Sequence, residues 1–250
     1  MVISDIFDEL IKLDVGKLSK KKAIAQGCFS VGEDTKVQFS QTNWINAETY
    51  NLFQWTDIQS RLANGERLLT QAEWSYLLTE RTDAYRLYAR AKVNGQEGLV
   101  ILPDKETWVL PEGLEFDYND ADKGYATNRY DNDDWTAMEQ AGAAFLPADG
   151  YSTDGLEVFD AKRYGTYWTS SLYAADQPYH ITFDLGYLYY ENMHSANIVY
   201  RSVRTVVPWV PQAIDEIVNH QSSNRKYIKD GQLLIIRDGK VYTVQGVQVK

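Results

Sequence analysis

The chain has 250 residues, of which 44% are hydrophobic and 13% aromatic, so it has the apolar side chains for a packed core and is not a disordered composition. Its formal net charge of −10 excludes a general nucleic-acid binder, which needs a basic footprint, and disfavours binding to an anionic membrane surface. The single cysteine, Cys28, excludes an internal disulfide and a cysteine-based zinc site.

In chain order, residues 4–13 are predicted to form a short helix, with Ser4 as N-cap and an apolar stripe of Ile6, Phe7, Leu10, Ile11 and Leu13. Three lysines at 20–22 read as a solvated linker. Residues 28–40 alternate apolar and polar around Gly32-Glu33-Asp34, the pattern of two strands and a turn, with Phe29 and Val31 before it and Val37 and Phe39 after it. Cys28 stands at the head of that pattern with no histidine nearby, so a structural thiol is expected rather than a nucleophile. Residues 67–80 hold the clearest helix. Thr70 and Glu73 have the spacing of a capping box, and Trp74, Leu77 and Leu78 fall on one face. Tyr85 to Ala91 and the run GLVILP at 98–103 read as strands, the second apolar enough to be buried on both faces.

Between residues 104 and 160 there are 15 acidic side chains and 3 basic ones, and 111–133 reads as an acidic loop. Within it, Asp117, Asn119, Asp120 and Asp122 are oxygen donors for a calcium ion. No glutamate closes a 12-residue loop, so a solvated loop is the favoured reading and no cofactor is expected. Residues 134–142 are predicted as a second helix, N-capped by Asp134 and stopped by Gly142, followed by a strand and turn at 145–151. From 164 to 207 come several closely spaced strands, carrying eight of the eighteen tyrosines. Alternation puts Ile181, Phe183 and Leu185 on a core side and His180, Thr182 and Asp184 on the other. After a turn at Gly186, Leu188 faces inward and Tyr187 and Tyr189 outward, and Val199, Val203 and Val206 mark a last strand. Pro208 and Pro211 suggest a boundary near residue 211. Beyond it lie a short helix at 212–219, a linker, and hairpins turning at Asp230-Gly231 and Asp238-Gly239. Residues 222–250 are basic in balance, with 6 basic and 2 acidic residues. The expected organisation is an N-terminal helix and linker (1–23), a main domain (24–211), and a linker with a small β module (212–250).

The succession RLLTQAEWSYLL, GLVILPD, DWTAMEQAGAAFLPADGY, YGTYWTSS, YHITFDL and YRSVRTV resembles a family of secreted bacterial surface domains with a C-type-lectin-like fold, related to the major paralogous domains of gut bacteria. The resemblance covers about residues 24–209. It implies an α+β fold in which two helices, 71–80 and 134–142, pack on a twisted, mostly antiparallel sheet. The first and last strands would be neighbours, with Phe29 and Val31 pairing near Val203 and Val206. It also implies a secreted or cell-surface location, with the signal peptide removed; MVISDIFDELIKL has none of the basic-then-apolar character of such a signal, which leaves the cytoplasm as the alternative. No apolar run reaches the roughly 18 residues of a membrane span. Arg67 to Trp74 is also similar to the RLPTEAEWE motif of formylglycine-generating enzymes. Those are copper-dependent oxidases built on paired cysteines, and this chain has one cysteine.

Other catalytic patterns are equally absent from the sequence. The three histidines, His180, His194 and His220, show no metal-ligand spacing, although His180, His194 and Asp184 are conceivable as a zinc set. No nucleophile elbow, phosphate-cradling loop or dinucleotide fingerprint occurs. The expectation is a non-enzymatic ligand-binding or adhesion module. Its binding residues are Tyr173, Tyr187, Tyr189, Tyr190, Asn192, His194 and Asn197, types that combine large contact area with adaptable hydrogen bonding. The partner class is a glycan or a host or bacterial surface protein. The Glu-Pro-Asn and Trp-Asn-Asp motifs of calcium-dependent animal lectins are missing. Two alternatives stand beside this. The segment from Trp168 to Arg204 resembles the variable region of receptors altered by diversity-generating retroelements, and a stalk component would use an open sheet edge for strand addition. Nothing in the sequence indicates an oligomeric state.

Overall fold

The structure is a computed structural model and describes residues 27–40, 51–63, 65–118, 124–191 and 193–210, together with the backbone of strands at 225–229, 232–237, 240–243 and 248–249. The expected helices at 4–13 and 212–219 and the turns at 230–231 and 238–239 lie outside the described residues. The chain divides into two compact units, Met1–Trp209 and Val210–Lys250.

In the first unit the elements are, in order, β1 (Phe29–Ser30), β2 (Lys36–Phe39), β3 (Leu52–Gln54), α1 (Trp55–Ile58), β4 (Arg67–Leu68), α2 (Gln71–Ser75), β5 (Tyr88–Val93), β6 (Gln96–Ile101), β7 (Asn128–Tyr130), α3 (Asn132–Gln140), β8 (Ala144–Pro147), β9 (Gly165–Ala174), β10 (Gln177–Phe183), β11 (Leu188–Tyr189), β12 (Tyr200–Ser202) and β13 (Thr205–Pro208). The fold is α+β, with strands in the majority and three short α-helices among the described residues. The strands form three sheets in place of the expected single one: β1-β2-β13-β4, β7-β5-β6-β8 and β11-β10-β9-β12-β3. Most pairs are antiparallel, while β5–β7 and β9–β12 run parallel. The second unit holds β14 (Arg225–Lys229), β15 (Gln232–Arg237), β16 (Lys240–Thr243) and β17 (Gln248–Val249), each antiparallel to the next.

The early and late strands meet, but not at the expected residues. The turn after Val31 folds β2 back between β1 and β13, so Phe39 pairs with Val206 and Phe29 pairs with Val37. Phe29 meets the Phe39 ring edge-on at 4.8 Å, one strand away from β13. The three sheets share one apolar cluster. Phe29, Phe39 and Val206 come from the first, Leu99 and Ile101 from the second, and Tyr167, Ile181 and Phe183 from the third, all around Trp74 and Leu77.

Helix α2 starts where its capping box dictates. Thr70 accepts from the Glu73 N–H at 3.1 Å, and the Glu73 carboxylate accepts from the Thr70 N–H at 2.8 Å. The helix loosens into a π-helical turn at Tyr76–Glu80. Arg81 then closes it, its Nε donating to the Leu77 carbonyl at 2.8 Å and its Nη1 to Asp104 at 3.1 Å. Asp104 also accepts from the Ser30 N–H at 3.0 Å and the Ser30 hydroxyl at 2.7 Å, so one buried carboxylate ties β1 to α2 and to the end of β6. Cys28 lies beside it, fully buried, and burial pushes its thiol above the ordinary value.

The second helix begins two residues earlier than the sequence suggests. Asp131, not Asp134, is its N-cap and accepts from the N–H groups of Asp133 and Asp134, while Asp134 occupies the third position and completes the capping box. Its far end is fixed by Gly142 at φ 109°, a conformation that disfavours any side chain. A Cβ there would lie 2.7 Å from the Gly27 nitrogen. Within the acidic loop the sequence hides a strand. The Asn128 side chain bonds both backbone groups of Asp117 and the Arg90 carbonyl, which places β7 beside β5. The strand expected from Tyr85 begins at Tyr88, because Asp83 adopts a left-handed conformation and starts a 3-10 turn over Ala84–Arg86.

Candidate functional site: an aromatic face on the five-stranded sheet

Strand β10 is the scaffold of the tyrosine-rich stretch. Ile181 and Phe183 enter the shared core as alternation requires. The opposite face is not solvent-exposed as expected. His180 is 3% exposed and Thr182 fully buried: on the same sheet Trp168, directly opposite on β9, meets His180 edge-on, and Thr166 accepts from both Thr182 and Arg201. Leu185 is a second correction: it is 47% exposed. The strand ends at Phe183, where the Asp184 carboxylate accepts from the N–H groups of Gly186 and Tyr187, each at 2.8 Å, and turns the chain before Leu185 can continue the alternation. Leu188 packs against the core as expected.

Two pairs of exposed rings emerge from this scaffold. The β9–β10 register slips around Pro178, which pairs with Leu172 while Gln177 pairs with Ala174, leaving Tyr173 as an extra residue that the bulge aims outward. Tyr173 is 59% exposed, and its ring stacks on His194 at 3.9 Å with 6° between the planes. Tyr179 supports both edge-on, at 6.0 and 6.1 Å. The segment bearing His194 is fixed by its main chain. The Met193 carbonyl accepts from His180 N–H at 2.9 Å, Ser195 N–H donates to Pro178, and Asn197 N–H donates to Asp176 at 2.9 Å. The Asn197 carbonyl in turn accepts from Trp55 N–H. Asn197 therefore anchors the face through its backbone, with a half-buried side chain.

The second pair is Tyr187 and Tyr189, 63% and 43% exposed, stacked at 5.7 Å. Arg90, buried at the base, donates to the carbonyls of Asp184 and Tyr187 and clamps the turn that carries them. Tyr190 is half-buried and packs against the main core, its carbonyl accepting from the Gln71 amide. Asn192 lies outside the described residues, as do Asn119, Asp120 and Asp122 of the acidic loop and His220. Asp117 is held to Asn128 by its backbone.

Burial strongly shifts two titratable groups of this unit. His180 is pushed down to about 2 by burial and by the nearby Arg201 charge, so its imidazole is neutral. Asp149, beneath the Gln96 amide, is raised to about 6 by burial. Neither group lies among the exposed tyrosines. His180 sits edge-on to Trp168, whereas His194 is exposed against Tyr173, so the two histidines do not converge as zinc ligands. Among the described residues no group of three or more His, Cys, Asp or Glu is placed to hold a metal ion. No described helix is long and apolar enough to cross a membrane.

Sequence reasoning missed Tyr179, Arg90 and Arg201. Tyr179 shares the parity of Ile181 and reads as core, and nothing local in their strands tells what the two arginines bind. Comparison with protein-family models, with curated proteins and with solved structures gives no match.

Proposed function

We propose that the protein is a ligand-binding or adhesion module without catalytic chemistry of its own, acting at the cell surface or after secretion, with a glycan as its partner on the aromatic face. The observation that carries this reading is the Tyr173–His194 stack on Tyr179. Three rings pack on one another beside a segment tied to β10 by backbone bonds, yet two of them are left open to solvent. Exposed rings already packed on one another offer contact area at small entropic loss. Flat faces of this kind match the C–H faces of sugar rings, and the neighbouring phenols supply hydrogen bonds. The main unit is read as C-type-lectin-like, supported by the adjacency of β2 and β13 and by the capped helix α2 against the shared core. The test is a binding screen against glycans and surface proteins, with and without chelator. Chelator-resistant glycan binding that weakens in Tyr173→Ala and in Tyr187→Ala is the expected result. A blank screen, or binding indifferent to both substitutions, contradicts it.

A specific observation also favours a variable receptor. Residues 193–197 are attached to β10 and to the hairpin tip through main-chain groups, so the exposed side chains of His194 and Ala196 can change without loss of those bonds. A reverse transcriptase and a template copy of the Trp168–Arg204 coding segment in the neighbouring DNA would support this version, and their absence would remove it.

A further inference from the structure

Away from the tyrosine pairs, a second feature of the same sheet calls for a ligand. Arg201 on β12 is 8% exposed and pairs with no carboxylate among the described residues. Arg81, which is buried as well, has Asp104 as its carboxylate. Among the described residues the Arg201 guanidinium donates to hydroxyls: Nη1 to Thr166 at 2.6 Å, and Nε and Nη2 to Ser195 at 3.3 and 3.2 Å. A guanidinium has five N–H groups, so two are left over. The Trp168 and Tyr151 rings lie over it at 5.3 and 5.8 Å and offset part of its desolvation. They do not neutralise it. A buried cation without an anion is an expensive arrangement.

The rim beside it is aromatic and accessible. Tyr151 meets Tyr164 at 6.1 Å and Phe159 at 5.6 Å; Phe159 is exposed and both tyrosines half-buried. Ser195, which accepts twice from Arg201, keeps its own proton for a ligand oxygen. Ser195 and His194 are adjacent in an extended segment, so their side chains point to opposite faces, and this rim is separate from the Tyr173–His194 stack.

We propose that Arg201, Ser195 and the Tyr151–Phe159–Tyr164 rim form a second binding site, and that its ligand is an acidic saccharide such as a uronic or sialic acid. The carboxylate takes the free edge of the guanidinium, and the sugar ring lies on the aromatic rim. One cation among several hydroxyls and ring faces suits a ligand with one carboxylate, several hydroxyls and C–H faces. Arginine reads planar carboxylates through paired N–H groups, which lysine lacks.

The test compares ligands that differ only in charge. Methyl glucuronide is titrated against methyl glucoside, sialyllactose against lactose, and a glutamate-rich peptide is added as a third arm. The wild-type protein is expected to prefer each acidic sugar by about tenfold or more, and the Arg201 Nε–H resonance is expected to shift during the acidic titrations. Arg201→Gln and Arg201→Lys should both erase the preference, Ser195→Ala should weaken it severalfold, and the shift of the Arg201 Nε–H resonance should persist in Tyr173→Ala. Equal affinity for acidic and neutral sugars, a stationary Arg201 resonance, or tighter binding of the peptide than of either acidic sugar overturns the proposal. Should Arg201→Gln fail to fold, the Ser195→Ala titration and the wild-type resonance decide. Loss of acidic preference with Tyr173-dependent glycan binding retained removes this site alone. Arg201-dependent binding with Tyr173→Ala and Tyr187→Ala silent on neutral glycans removes the aromatic face alone.

Discussion

Substituting His180 by Gln should make the protein less sensitive to acid, and the size of the change follows from where the imidazole sits. His180 is 3% exposed, edge-on to Trp168 and close to the Arg201 charge, so its folded value falls from 6.5 to about 2. In the unfolded chain it protonates near 6.5; in the folded chain it stays neutral. The unfolded state therefore binds the extra proton, and stability is lost as pH falls below 6.5, at about 1.4 kcal/mol per pH unit. Between pH 7 and pH 4.5 the loss is on the order of 2–3 kcal/mol, a large share of a typical domain's stability. Asp149 acts in the opposite sense. Its folded value is raised from 3.8 to about 6, so protonating it favours the fold as pH falls from 6 towards 3.8. The net curve of the wild-type protein is accordingly flattened, and only the comparison with His180→Gln isolates the histidine. Urea unfolding of both proteins at pH 7 and pH 4.5 is the assay. The gap between them should move by about 2–3 kcal/mol in favour of the variant at low pH. A gap that does not change with pH, or a His180 proton titrating near 6.5 by NMR, would refute the burial argument.

Three further outcomes are expected. Asp104→Asn should destabilise by about 3–5 kcal/mol in urea unfolding, because it strips Arg81 of its carboxylate in a buried site and weakens the tie to Ser30; a loss under about 1 kcal/mol would mean the network is not the anchor it looks to be. Asp131→Ala should lower stability by about 1 kcal/mol through loss of the α3 cap, with Asp134→Ala costing less; the reverse order would restore Asp134 as the cap. Leu185→Ser should be nearly neutral in thermal melts while Phe183→Ala costs about 3–5 kcal/mol, and equal losses would return Leu185 to the core.

What was readable in the sequence was readable because it is local. The Thr70–Glu73 box needs only four residues, and it sits in the structure as spelled. Alternation over Ile181 and Phe183 is likewise a property of one strand. The failures occur where a tertiary contact overrides a local rule. Alternation continued past Phe183 on paper, but a single carboxylate, Asp184, captured two backbone N–H groups and ended the strand. His180 and Thr182 looked like an outer face because sequence does not disclose that Trp168 stands opposite His180 or that Thr166 accepts from both Thr182 and Arg201. The Asn128 strand was hidden in an acidic loop, since what holds it is a side-chain bridge to Asp117 eleven residues away. In the aromatic face, Tyr173, Tyr187, Tyr189 and His194 stand out from composition alone, but their pairing does not. That pairing depends on the bulge at Pro178 and on the Arg90 clamp, both set by partners distant in sequence.

The claim at the centre is that the Tyr173–His194 stack is a contact surface and not packing. The most direct measurement takes a glycan that the wild-type protein binds and determines its dissociation constant for Tyr173→Ala, His194→Ala and the double variant, in chelator, beside a thermal melt of each. A binding surface predicts about tenfold weakening in each single variant, less than multiplicative loss in the double because the rings act as one unit, and melts within a few degrees of wild type. Unchanged affinity, or melts that fall by about 10 °C while affinity is retained, would show that the rings hold the protein together and touch no ligand.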